Sequence, residues 1–61
     1  MNLKIIRKEK GLTQQALAEM VNVDKSTVSC WERGVCFPQK RTLLKLVEIF
    51  QCTIEDLLKV D

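Results

Sequence analysis

Gln14–Arg33, QQALAEMVNVDKSTVSCWER, is the stretch that decides the fold. Leu17, Ala18 and Val21 recur at helical spacing behind Thr13, a residue type that caps helix starts, so a helix is predicted over about 14–21. Asn22 follows, and asparagine accepts the left-handed backbone that ends a helix sharply. Asp24 then caps a helix over about 25–33 that Gly34 closes, with Val28 and Trp31 inward and Val23 placed to staple its entry. Two short helices crossing steeply need a small residue where their backbones meet, and Ala18 is there. They also need a shared apolar core, which Leu17, Val21, Val23, Val28 and Trp31 supply. These are the parts of a helix-turn-helix over about 14–33.

Outward from this stretch the helical pattern continues in both directions. Residues 2–10 read as a first helix with Leu3 and Ile6 on one face and Gly11 as its stop. After Val35-Cys36-Phe37, Pro38 suits the first turn of a fourth helix over about 39–50, which carries Leu43, Leu44, Leu46, Val47 and Phe50. Thr53 opens a fifth, and Thr53-Ile54-Glu55-Asp56 has the spacing of a capping box with Asp as the acid. Ile54, Leu57 and Leu58 form its apolar side. No strand pattern of useful length interrupts the helices, and one proline and two glycines are too few for a turn-rich β fold. The expectation is an all-α, compact bundle of five short helices filling a single domain, 1–61. A chain of 61 residues buries only about 60% of its unfolded surface, so such a bundle needs tight packing or a partner.

Charge is divided along the chain. Residues 1–45 hold nine Lys/Arg against four acids, a surplus of five, whereas residues 46–61 hold Lys59 against four acids. A basic part joined to an acidic end fits one face meeting a polyanion, although solvated helix surfaces would give the same tally. No run of apolar residues is long enough for a membrane span, and the N-terminus lacks the apolar core of a signal peptide, so a cytoplasmic location is expected. Cys30, Cys36 and Cys52 are then thiols. With no His and no CxxC pair, neither a zinc site nor a cofactor is expected. Ser29 and Cys30 lack a base to activate them, so an enzyme is not expected.

With Val28 and Trp31 inward, the third helix presents Lys25, Ser26, Ser29, Cys30 and Arg33 outward and Thr27 at the edge. Lys25, Ser26, Thr27, Ser29 and Cys30 are the candidates for reading base edges: a Lys donates to guanine, and hydroxyls donate or accept. The bland alternative is an ordinary solvated helix face. Cys30, lying between Lys25 and Arg33, is also a candidate for oxidation that would obstruct groove entry.

The segments IIRKEKGLTQ, QQALAEMV, VNVDKSTVSCWERG, PQKRTLLKLVEIF and CTIEDLL, in this order and spacing, resemble the Xre/Cro/phage-repressor family over nearly the whole chain. The resemblance implies a lambda-repressor-like DNA-binding domain whose third helix enters the major groove while the second crosses the backbone. It further implies sequence-specific binding of double-stranded DNA by a transcriptional regulator, a repressor, acting as a homodimer on an inverted repeat, with no small-molecule ligand. Gln14 matches a phosphate-contacting position, and Arg7 and Glu32 match a buried ion pair tying the first helix to the third. Arg33, Lys40 and Arg41 flank the following loop and are further phosphate candidates. Three positions depart from the family pattern: Asn22 where glycine is usual, Lys40 where an apolar residue is usual, and Cys30 where a longer polar side chain is usual. Dimerisation is also expected because one short helix makes few base contacts, and because Val35, Phe37, Leu57, Leu58 and Val60 exceed what one small core covers. The rival reading is an antitoxin or other protein-interaction module on the same fold.

Overall fold

Three of the five helices among the described residues begin at a side chain that satisfies a free backbone N–H. In the computed structural model, which describes residues 1–59, the order is α1 (Leu3–Glu9), α2 (Gln14–Met20), α3 (Lys25–Arg33), α4 (Lys40–Phe50) and α5 (Ile54–Leu58), with no strand among the described residues. The Thr13 hydroxyl accepts from the Ala16 N–H at 3.0 Å, and the Asp24 carboxylate accepts from the Ser26 N–H at 3.1 Å. At α5 the capping box is complete: Thr53 Oγ1 accepts from the Asp56 N–H at 3.0 Å, and Asp56 Oδ2 accepts from the Thr53 N–H at 3.4 Å. Gly34 closes α3 at φ 77°, and Asn22 turns the chain between α2 and α3 at φ 60°. That left-handed turn lets the Val23 N–H reach back to the Ala18 carbonyl at 2.9 Å.

The helices wrap one core. Leu3 and Ile6 of α1, Leu17 and Ala18 of α2, Val21 beyond it, Val28 and Trp31 of α3, Leu46 and Phe50 of α4, and Leu57 of α5 are all buried. Each large side chain taken fully out of water stabilises by about 1.5–3 kcal/mol. Ala18, fully buried, is the small residue that lets α2 and α3 pack closely. The start of α1 meets α5 as well, since the Asn2 N–H donates to the Leu57 carbonyl at 2.8 Å. The radius of gyration is 10.1 Å, close to the ~10 Å of a folded chain this long.

Several expectations need correction. Gln39, not a residue before it, is the N-cap of α4, so Pro38 precedes the cap instead of occupying the first turn, and it is buried. Leu44, Ile54 and Leu58, assigned to apolar inner sides, are exposed, because α4 and α5 bury narrower stripes centred on Leu46, Phe50 and Leu57. Leu57, expected to be in excess, is fully buried, and Val60 lies outside the described residues. The left-handed residue that ends α4, Gln51 at φ 55°, carries no sequence signal of its own.

Candidate nucleic-acid interface

The interface candidate rests on a polar clamp beneath α3. Arg7 Nε donates to Glu32 Oε2 at 2.6 Å, Arg7 Nη2 to Glu32 Oε1 at 3.3 Å, and Arg7 Nη1 to the Leu12 carbonyl at 2.7 Å. Both side chains are nearly buried, at 8% and 4% exposure. Gln14 Nε2 donates to the same Glu32 Oε1 at 3.0 Å. One carboxylate on α3 thus holds the first residue of α2 and the guanidinium of α1. Burial pushes the Glu32 carboxyl up, but the hydrogen bonds from Arg7 and Gln14, with the charges of Arg7 and Lys4, outweigh it and hold the group below the ordinary glutamate value. A charged carboxylate taken from water is tolerable only with this degree of hydrogen bonding.

The clamp and the core turn the remaining side chains of α3 away from the bundle. Lys25, Ser26 and Arg33 are exposed, and Ser29 is half-buried at the rim between them. The Ser26 hydroxyl donates to the Asp24 carboxylate, which together with the Ser26 N–H holds the Asp24 carboxyl below its ordinary value. Ser26 is therefore turned to its own cap, leaving its oxygen lone pairs outward. Thr27 faces the other way, lining a cavity with Val23, Trp31, Phe37 and Thr42. Cys30 is half-buried, and its thiol faces that of Cys36, an arrangement that sequence spacing did not disclose. The neighbouring Cys30 side chain favours the neutral form of the exposed Cys36 thiol and pushes it up, and a little burial adds to this. Cys52 is half-buried against the core, where burial, then the charge of Asp56, pushes its thiol up.

Of the four phosphate candidates, Arg33, Lys40 and Arg41 are exposed. Arg33 ends α3, and Lys40 and Arg41 open α4 across the intervening loop. Gln14 differs: one of its amide N–H groups is committed to Glu32, so it has one N–H and its oxygen left to offer. Lys40 lines an open cavity along the outer face of α4 with Arg41, Leu44, Lys45, Glu48 and Ile49. No group of three or more metal-ligating side chains converges among the described residues.

The helix-turn-helix family matches this chain over residues 3–57. The chain belongs to the Xre/Cro/C1-type helix-turn-helix family. Among its relatives, the HTH-type transcriptional activator BcrR of Enterococcus faecalis is 38% identical over 92% of this chain and 28% of its own length. Repressor protein C2 of Salmonella phage P22 is 40% identical over 90% of this chain and 26% of its own. An uncharacterised HTH-type transcriptional regulator of Archaeoglobus fulgidus is 34% identical over 97% of this chain and 84% of its own. The crystal structure of a transcriptional regulator from Listeria innocua superposes with a TM-score of 0.88 at 33% identity, covering 98% of this chain and 57% of that one. The chain thus spans well under a third of the length of BcrR and C2 and most of the Archaeoglobus protein. The family and these names are those of transcriptional regulators and not of enzymes.

Proposed function

We propose that this domain binds double-stranded DNA sequence-specifically as a transcriptional regulator, with α3 in the major groove and Lys25, Ser26 and Ser29 toward base edges. The observation that carries the reading is the clamp: Glu32 on α3 is fixed by Arg7 of α1 and Gln14 of α2, so the exposed face of α3 is held rigidly to the element that would cross the backbone. Rigid presentation is what hydrogen-bond readout of base edges requires. Arg33, Lys40 and Arg41 bracket the loop after α3 and supply phosphate contacts on one side. The free N–H of Gln14, at the start of α2, supplies one on the other.

The domain acts as a homodimer on an inverted repeat. Val35 and Phe37, 68% and 59% exposed in the loop beside α3, form the apolar contact between copies. We read its role as repression in the cytoplasm: a dimer seated on a promoter blocks polymerase with no further part. The relatives include both an activator and a repressor by name, so the sign of regulation rests on this economy alone.

Selection of random duplex DNA on the purified protein, at two salt concentrations, tests the reading. A palindromic motif is expected. Lys25→Glu with Arg41→Glu should abolish its recovery while leaving the helical spectrum unchanged. Binding without any motif would reject base reading. Failure to bind DNA at all, together with capture of a protein partner through the loop, would favour an interaction module of the antitoxin kind.

A further inference from the structure

Cys30 and Cys36 are separated by five residues in sequence yet adjacent in space, and the backbone explains why. Gly34, left-handed at φ 77°, reverses the chain at the end of α3. The Val35 N–H then donates to the Cys30 carbonyl at 3.1 Å, and the Cys36 N–H to the same carbonyl at 3.5 Å. This wraps Cys36 back over the last turn of the helix, with its thiol against that of Cys30. The hydrogen bond from the Cys36 N–H keeps the two cysteine backbones next to each other, as a disulfide between them would need. Cys36 is exposed and Cys30 half-buried, so a small disulfide from solvent reaches Cys36 first.

We infer that Cys30 and Cys36 are a dithiol modification site, closed reversibly to a disulfide by small-molecule disulfides, and that the closed form binds operator DNA more weakly. The second half of the inference rests on the proposed DNA-binding role; the first does not. In the reaction, the Cys36 thiolate attacks one sulfur of the small disulfide, forming a mixed disulfide and expelling a thiolate that takes up a proton. The Cys30 thiolate then attacks the Cys36 sulfur, forming the intramolecular bond and expelling the second small thiolate. Two protein thiols are oxidised and one small disulfide is reduced to two thiols, with no other reagent consumed.

The consequence for DNA follows from position. Cys30 stands one helical turn beyond Ser26 and one before Arg33, on the face offered to the groove. Drawing the two sulfurs to a bond length of about 2 Å turns Cys30 toward the loop and shifts the side chains beside it on that face. Losing a single base contact per half-site lowers affinity about tenfold or more.

The test treats the full chain with glutathione disulfide and reads thiol count and intact mass, then operator affinity with and without dithiothreitol. The expected result is that the three free thiols fall to one, Cys52, with the mass lower by two hydrogens, and that dithiothreitol restores all three. Affinity should fall about tenfold on oxidation and recover on reduction. Cys36→Ser should bind DNA as the reduced protein does and ignore the oxidant. Three thiols persisting, a stable glutathione adduct on Cys36, or a covalent dimer would each overturn the site. A closed disulfide with unchanged affinity would overturn its regulatory effect. If the reduced protein bound no DNA, the DNA-binding reading would fail, while the thiol count would still decide the dithiol.

Discussion

Glu32 carries more of this molecule than any other polar residue. Its carboxylate receives Arg7 and Gln14 in a nearly dry site. Truncation as Glu32→Ala leaves the Arg7 guanidinium buried without its partner and should destabilise by about 3–5 kcal/mol in urea titration. A chain of 61 residues has roughly 3–9 kcal/mol in total, so the variant should lose a third or more of its stability. The paired change Arg7→Met with Glu32→Leu should be far milder, because no charge is then stranded. The same carboxylate sets an acid limit. Its folded pKa lies below its unfolded one, so its contribution is complete above the ordinary glutamate range and disappears as pH falls through the depressed value. Melting temperature should therefore drop through that acidic window in the native chain, and the drop should be shallower in the paired variant. A flat profile in both would contradict the linkage.

At the level of elements, the helix ends show what sequence conveys and what it withholds. Asn22 and Gly34 were legible because few residue types tolerate left-handed backbone, and each occurs directly after a periodic apolar run. Thr13, Asp24 and Thr53 were legible for the complementary reason, that short oxygen-bearing side chains satisfy free helix N–H groups. Gln51 was not, since glutamine has no preference for φ 55°. Tertiary demand places it there: the Cys52 N–H must reach the Val47 carbonyl, at 3.1 Å, for α5 to fold back. Gln51→Gly should then stabilise by about 1 kcal/mol in thermal unfolding, the strain of a side chain in that region. A loss of stability would mean that the glutamine side chain has a role of its own. The candidate site divides in the same way. The exposed positions of Lys25 and Arg33 follow from helical period alone. The engagement of Gln14 with a residue 18 positions away depends on packing that no local pattern encodes, whereas Cys36 reaches Cys30 through the local chain reversal at Gly34.

At the scale of the whole molecule, the loop after α3 leaves apolar surface uncovered. Phe37 and Val35 are the most exposed large hydrophobic residues among the described ones, and a 61-residue bundle gains more than most from covering such surface. Phe37→Ser should shift the protein toward monomer in sedimentation equilibrium and weaken binding to a palindromic site, while thermal stability at low concentration stays nearly unchanged. An unaltered mass distribution would place the dimer contact elsewhere. Three exposed cations per copy, Arg33, Lys40 and Arg41, give six phosphate contacts in a dimer, so log affinity should fall against log salt with a slope near −5. A slope half as steep would indicate that a single copy binds.

The hydrogen bond between the Asn2 N–H and the Leu57 carbonyl changes what the beginning of this chain reports. A second residue is normally where a protein frays, and its amide exchanges with solvent deuterium almost at once. Here that proton is released only when α5 lifts from α1. In a deuterium-exchange time course the Asn2 amide should persist far longer than the exposed loop amide of Phe37. A probe just ahead of α1 would then register the departure of α5.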